Sequence, residues 1–177
     1  VQLGARSSTD DLTGDLDTVV VSPELQIPMI QRVIGGLAQE TEQYPPAVSA
    51  IHIDGERAYR RVRRGETVQV PARTVQISGL ELLGVDLEFS RVTLDIECSA
   101  GTYMRSIARD LGHELGIGGY AHSLRRTDVG EWSVADAISM EVIDSIEVVE
   151  HSLRPAKELI DLDPVRVDLE KLDAVRA

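Results

Sequence analysis

The chain has 177 residues, 42% of them hydrophobic and 27% charged, with a net charge of −12. That length suits one compact domain with a real apolar core, and no apolar run is long enough to span a membrane. The first residues do not read as a signal or transit peptide, and Cys98 is the lone cysteine. An internal disulfide and a cysteine-based metal cluster are thereby excluded, and a reducing cytoplasm is the expected compartment.

The average charge conceals its distribution. Residues 1–56 carry −7, residues 57–127 carry +3 and residues 128–177 carry −8, and five arginines fall between Arg57 and Arg64. Whole-chain charge governs solubility, whereas a local basic face governs docking on phosphates.

In chain order, Ser7–Gly14 reads as a polar turn and Thr18–Val21 as a strand. A helix is expected from about Pro28 to Ala38, burying Met29, Ile30, Val33, Ile34 and Leu37, with Pro28 confined to its first turn. Gly35-Gly36 inside it implies close packing against a neighbour, and Tyr44-Pro45-Pro46 is expected to stop it. Val48–Ile53 reads as a strand, Asp54-Gly55 as a tight turn and Arg57–Arg64 as a short helix. Three strands should follow: Thr67–Val70, Arg73–Phe89 with a break near Gly84, and Val92–Cys98, the last two forming a hairpin that turns at Ser90-Arg91.

The most informative stretch is Cys98–Gly112. An alternating strand with Val92, Leu94, Ile96 and Cys98 on one face runs into Gly101, and Thr102 is a plausible N-cap. The next helix buries Met104, Ile107, Ala108, Leu111 and Leu115 and ends at Gly116. Tyr103 and Arg105 then sit on its first turn, a ring and a fixed cation at the mouth of a strand end. Gly116–Gly119 should be a flexible corner and Tyr120–Val129 a strand, with short helices at Met140–Val149 and Pro155–Ile160. Cys98 reads as a small buried strand residue. Strands and helices intermix without βαβ regularity, which predicts an α+β fold with a largely antiparallel sheet. His52, His113, His122 and His151 have no metal-ligand spacing, and Gly116-Ile-Gly-Gly119 lacks the lysine of a phosphate-binding loop.

Five segments in order carry a resemblance: Leu3–Gly14, Gln43–Ala50, Asp54–Tyr59, Cys98–Arg105 and Leu124–Thr127. Together they resemble the TruB-type tRNA pseudouridine synthases across nearly the whole chain. The resemblance implies a pseudouridine-synthase fold, a mainly antiparallel mixed sheet flanked by helices, with a basic RNA-gripping insertion at about 44–70. It implies isomerisation of the T-loop uridine of tRNA to pseudouridine, with the base flipped out of its stack. Tyr103 would stack on that base and is a candidate for removing its C5 proton. Arg105 would hold a nucleophilic carboxylate ionised and oriented. Leu124 would line the pocket; Arg57, Tyr59, Arg60, Arg61, Arg64 and Arg126 would bind RNA. No metal and no cofactor is implied. The expected partner is the tRNA T-arm, with no membrane and no protein partner, the full-length form being a monomer in the cytoplasm.

The family's nucleophilic aspartate lies in a Gly-rich loop motif upstream of the Leu3-Gly-Ala-Arg segment, and no match to that motif occurs here. The chain is therefore expected to be an incomplete form, inactive alone. On this reading residues 1–160 are a partial catalytic domain and 161–177 the start of a PUA-type segment. Asp10, Asp11 and Asp15 read as a solvated turn, not as substitutes, which would leave Arg105 solvated. The alternatives are a non-catalytic tRNA-binding or folding module, and an acidic interaction protein that the five arginines disfavour.

Overall fold

The computed structural model describes residues 1–19, 25–38 and 40–155. The chain forms two compact units, residues 1–125 and 126–177. In the first unit the elements are β1 (Gln2–Leu3), β2 (Ala5–Ser7), β3 (Leu16–Thr18), α1 (Ile27–Leu37), β4 (Glu40–Gln43), β5 (His52–Ile53), β6 (Glu56–Arg57), α2 (Ala58–Arg63), β7 (Arg73–Asp86), β8 (Arg91–Cys98), α3 (Met104–Glu114) and β9 (Gly119–Tyr120). A five-stranded sheet of order β4-β7-β8-β1-β9 has every neighbouring pair antiparallel, with α1 packed on β7 and on α3. This is the α+β architecture that the sequence pattern predicts.

The core follows from the apolar faces of these elements. Leu3, Val92, Ile30, Ile34, Leu111 and Ile117 form one buried cluster that joins the sheet to α1 and α3. Each such side chain contributes about 1.5–3 kcal/mol when fully buried. The long β7–β8 hairpin carries register shifts between Ile77 and Gly79 and between Leu82 and Gly84, matching the expected break. Its turn is Leu87–Ser90, centred two residues before the expected Ser90-Arg91, with Ser90 at φ 50°.

Several expectations are corrected. The segment 48–53 is not a strand: only His52–Ile53 pairs. Its carbonyls are committed elsewhere, Val48 O to the Arg105 guanidinium and Ser49 O and Ile51 O to the first N–H groups of α2. Those bonds satisfy donors that every helix start leaves open. Residues 67–70 form no strand, and of 120–129 only Tyr120 in β9 and Asp128–Val129 in the second unit lie in strands, with Ala121 making a single bridge to Asp11. Strand β4 reads Glu-Thr-Glu-Gln, has no apolar alternation, and still adds an edge to β7. A Cβ added at Gly35 or Gly36 would meet no described atom within 4 Å, so neither glycine is required by tight side-chain packing, and Met29 is exposed.

The 116–119 corner is packed, not loose. A Cβ on Gly112 would lie 2.1 Å from the Gly118 carbonyl carbon, and Ile117 is buried. Gly116 and Gly118 have φ of 73° and 72°, conformations that glycine adopts without penalty. Cys98 is half-buried, and the expected 18–21 strand ends at Thr18, residues 20–24 lying outside the described ones.

The second unit pairs β10 (Asp128–Val129) with β11 (Trp132–Ser133), followed by two short 3₁₀ turns and α4 (Ile146–Ser152). The expected 140–149 helix is divided because Ser145 caps a new start, its Oγ accepting the Val148 N–H at 3.4 Å. The expected 155–160 helix lies outside the described residues but for Pro155. Among the described residues no helix is long and apolar enough to cross a membrane.

Candidate active site and RNA-binding face

Strand β8 ends at Cys98, the chain turns through Gly101 at φ 84°, and α3 begins with Tyr103 as its N-cap. Thr102 closes the preceding turn instead of capping, its hydroxyl donating to Ser99 O at 2.8 Å. Tyr103 is fixed by a residue that sequence reasoning left out of the site. The buried Gln43 amide accepts the Tyr103 N–H at 2.8 Å and donates to Tyr103 O at 3.2 Å. A two-point amide clamp leaves the backbone of this position no freedom to swing. The Arg73 guanidinium lies over the half-buried Tyr103 ring, 5.2 Å from its centroid, and so covers one face.

Arg105, on the first turn of α3, is partnered on all sides. It donates to Asp11 Oδ2 at 3.0 Å, to Thr9 O at 2.8 Å and to Val48 O at 2.9 Å. Its side chain is 23% exposed, which corrects the expectation of a solvated arginine. The opposing carboxylate is equally organised: Asp11 Oδ1 accepts from Thr9 Oγ1 at 2.7 Å and from the Thr13 N–H and hydroxyl at 2.9 and 2.6 Å. Burial pushes the Asp11 carboxyl up, but the hydrogen bonds from Thr13 and Thr9 and the Arg105 charge outweigh it and hold the group below its ordinary range.

One turn further along α3, Arg109 repeats the pattern. It donates to Asp10 Oδ2 at 3.0 Å, to Tyr44 O at 2.9 Å and to Asp110 Oδ1 at 2.9 Å. The buried Ser106 hydroxyl donates to the same Tyr44 carbonyl at 2.9 Å. Burial pushes the Asp10 carboxyl above its ordinary range, and Arg109 restores only part of the difference. The pair borders a cavity of about 480 Å³ lined also by Arg6, Tyr44, His113 and Gly118. Asp10 and Asp11 are thus not a solvated turn. A loop of Ser, Thr and Asp has the same composition whether it faces water or folds back on a helix.

Helix α2 carries the other charged group. Arg61 pairs with Glu66 at 2.7 Å and with Asp54 at 3.5 Å, and Arg64 grips Glu56 with both guanidinium nitrogens and Glu66 at 2.8 Å. Arg63 lies 5.3 Å from the Tyr59 ring centroid and Arg60 Nε donates to the Tyr59 hydroxyl at 3.4 Å. That hydrogen bond and the surrounding cations hold the phenol below its ordinary range. Arg57, Arg60 and Arg63 are exposed.

The structure brings Tyr103 and Arg105 together with Asp11, Gln43 and Arg73, none of which sequence reasoning placed in the site. The α2 group is a separate cluster joined to this site by adjacent carbonyls. Val48 O is held by Arg105, and Ser49 O accepts the Tyr59 N–H at 3.0 Å. Leu124 is 66% exposed in an irregular segment near the end of the first unit, and Arg126 is exposed in the second unit.

The fold is an antiparallel α+β architecture whose strand-to-helix corner presents a clamped tyrosine and a carboxylate-paired arginine. Comparison with known proteins gives it a family. Residues 1–104 match the profile described as TruB family pseudouridylate synthase (N terminal domain), and residues 105–171 that of the tRNA pseudouridylate synthase B C-terminal domain. The chain belongs to the TruB family of pseudouridylate synthases. Among its relatives, the tRNA pseudouridine synthase B of Synechococcus sp. (strain CC9311) is 47% identical over 142 residues, covering 80% of this chain and 48% of that protein. Those of Mycolicibacterium paratuberculosis and Corynebacterium diphtheriae are 40% and 42% identical, covering 90% and 81% of this chain and 55% and 50% of their own lengths. The chain spans about half the length of these curated relatives.

Proposed function

We propose that this chain serves the conversion of the T-loop uridine of tRNA to pseudouridine, supplying the ring that receives the flipped base and a basic face that holds the T-arm. The reaction is an isomerisation: the bond from the sugar to N1 breaks, the base turns, a bond to C5 forms, and the C5 proton leaves. The observation that carries the reading is the fixed corner at Tyr103 and Arg105 in a chain of this family. Gln43 holds the Tyr103 backbone and Arg73 covers one face of the ring, and on this reading the other face receives the base. Stacking on such a ring is worth about 1–3 kcal/mol per base. A neutral phenol is a poor base, so proton removal by Tyr103 needs a partner group.

Neither acidic residue beside α3 lies in the Gly-rich motif that the resemblance assigns to the nucleophile, and both are held to the fold. Both oxygens of Asp11 are engaged, Oδ1 by Thr9 and Thr13 and Oδ2 by Arg105, while Asp10 is tied to Arg109. Asp11 is therefore a positioning carboxylate, and residues 1–177 alone are proposed not to turn over. The non-catalytic module gains no support from relatives that are named as synthases.

The test compares binding of two T-arm hairpins, one intact and one with an abasic residue at the target uridine. The intact hairpin should bind roughly 5- to 150-fold more tightly, the equivalent of about 1–3 kcal/mol of stacking, and Tyr103→Ala should abolish the difference. Equal binding of the two hairpins by the unaltered chain would refute base capture. Pseudouridine formation on a tRNA transcript, lost on Asp10→Asn, Asp11→Asn or Asp15→Asn, would refute the assignment of these carboxylates.

A further inference from the structure

We propose that Arg109 and Asp10 form a positioning pair that sets the Asp11–Arg105 pair from one helical turn away. The role rests on the reading of Arg105 as part of the active site, but the contacts stand without it. Arg105 and Arg109 are four residues apart and therefore lie on one face of α3, about 6 Å along its axis. Each spans the same two pieces of chain. Arg105 joins Thr9 and Asp11 to Val48, and Arg109 joins Asp10 to Tyr44. The loop after β2 and the segment after β4 are thus pinned to the helix twice, in parallel.

The backbone shows why both carboxylates reach the helix. In an extended chain, neighbouring side chains point in opposite directions. Asp10 instead has φ 60°, a left-handed conformation that a non-glycine residue adopts at a cost, and this turn lets Asp10 and Asp11 both address α3. The loop is held there by the Ala121 N–H, which donates to Asp10 O at 2.9 Å, and by the Asp11–Ala121 bridge. What keeps the unusual turn facing the helix is the Asp10–Arg109 contact, whose acidic partner has a side chain only 14% exposed. Release of Arg109 frees the Asp10 side of the loop and, through the next residue, loosens Asp11 on Arg105.

Arginine is required for this task. Its planar fork can address the Asp10 carboxylate and the Tyr44 carbonyl at once, with Nε left for Asp110. A lysine keeps the charge but not the fork.

The experiment follows the Arg105 Nη–H signals, the donors to Asp11, Thr9 and Val48, in the 177-residue chain by nitrogen-15 NMR, with their solvent exchange rate as the readout. It requires neither RNA nor turnover, so it stands or falls separately from the proposed function. Arg109→Gln and Asp10→Asn should each speed exchange at Arg105 roughly tenfold or more, the scale of one lost charge-assisted hydrogen bond. The double variant should be no faster than either single one, because the two residues act as a unit. Arg109→Lys should restore only part of the protection, and Arg32→Gln, on the exposed face of α1, should change nothing. Amide protection of Val92 and Leu111 reports the core. Unchanged Arg105 exchange in Arg109→Gln overturns the proposal. So does equal acceleration at Arg105, Val92 and Leu111, which would make Arg109 a general stabiliser.

Discussion

Helices α2 and α3 both carry arginines on exposed or half-exposed turns, and they use them differently. On α3, Arg105 and Arg109 reach across to two other segments and hold carboxylates and carbonyls that are distant in sequence. On α2, Arg61 and Arg64 pair with Glu56 and Glu66, a few residues away, while Arg60 and Arg63 flank an aromatic ring. Long-range partners make an arginine part of the fold. Local partners leave it at the surface, and a Glu beside it tunes how much charge that surface shows. The sequence alone presents both as Arg-rich helices, and only the origin of the partners separates them.

The comparison breaks most readily at Arg105. Arg105→Gln should destabilise the chain by about 2–3 kcal/mol, since it removes charge-assisted bonds to Asp11 and two carbonyls in a partly water-excluded site. Arg63→Gln on α2 should leave the urea midpoint unchanged within error. Comparable losses from the two substitutions would erase the distinction.

Gln43→Ala should cost about 1–3 kcal/mol, because it strands the Tyr103 N–H at a buried contact, while Tyr103 O keeps the Ile107 N–H. Its counterpart on α2, Tyr59→Ala, should not shift the urea midpoint but should weaken T-arm binding. Urea titration monitored by far-ultraviolet circular dichroism checks the first, and hairpin binding the second.

The two acidic partners on α3 should titrate in opposite directions from an ordinary aspartate. Asp10, raised chiefly by burial, takes up its proton first as pH falls, releasing Arg109 while Asp11 still holds Arg105. The signs follow from linkage. The lowered pKa of Asp11 contributes stability above the unfolded value, and that contribution is lost as pH falls through the folded one. The raised pKa of Asp10 contributes only below the unfolded value and fades as pH rises through the folded one. Carbon-13 NMR of the side-chain carboxyls should therefore show Asp10 protonating at higher pH than Asp11. The reverse order would mean that Arg109, not burial, dominates at Asp10.

Much of this architecture was legible from pattern. The β7–β8 hairpin and α3 are long and periodic, so Val92, Ile107 and Leu111 declare the buried faces, and the Tyr103–Arg105 corner follows from strand, glycine and helix in succession. The resemblance expects the α2 arginines on the RNA side, which the salt-dependence measurement below tests. What could not be read depends on contacts between distant segments. Glu40–Gln43 pairs with β7 through its backbone, and the Gln43 amide is chosen by the Tyr103 peptide, neither of which leaves a periodic trace. Likewise, the left-handed turn at Asp10 decides where two carboxylates point, and composition carries no record of it. The 48–53 segment misled for a related reason: its apolar residues suit a strand, but Arg105 and the start of α2 take its carbonyls first.

The most direct test of the division between the two helices is the salt dependence of T-arm hairpin binding. On this account, Arg60→Gln with Arg63→Gln should lower the magnitude of the log–log slope by roughly 0.7–0.9 for each arginine that contacts a phosphate. Arg61→Gln with Arg64→Gln should lower it less, because Glu56 and Glu66 already occupy those guanidinium groups. Arg109→Gln should leave the slope unchanged. Equal slopes for the unaltered chain and the Arg60, Arg63 variant, or a fall caused by Arg109→Gln instead, would contradict the assignment of RNA grip to α2 and of site architecture to α3.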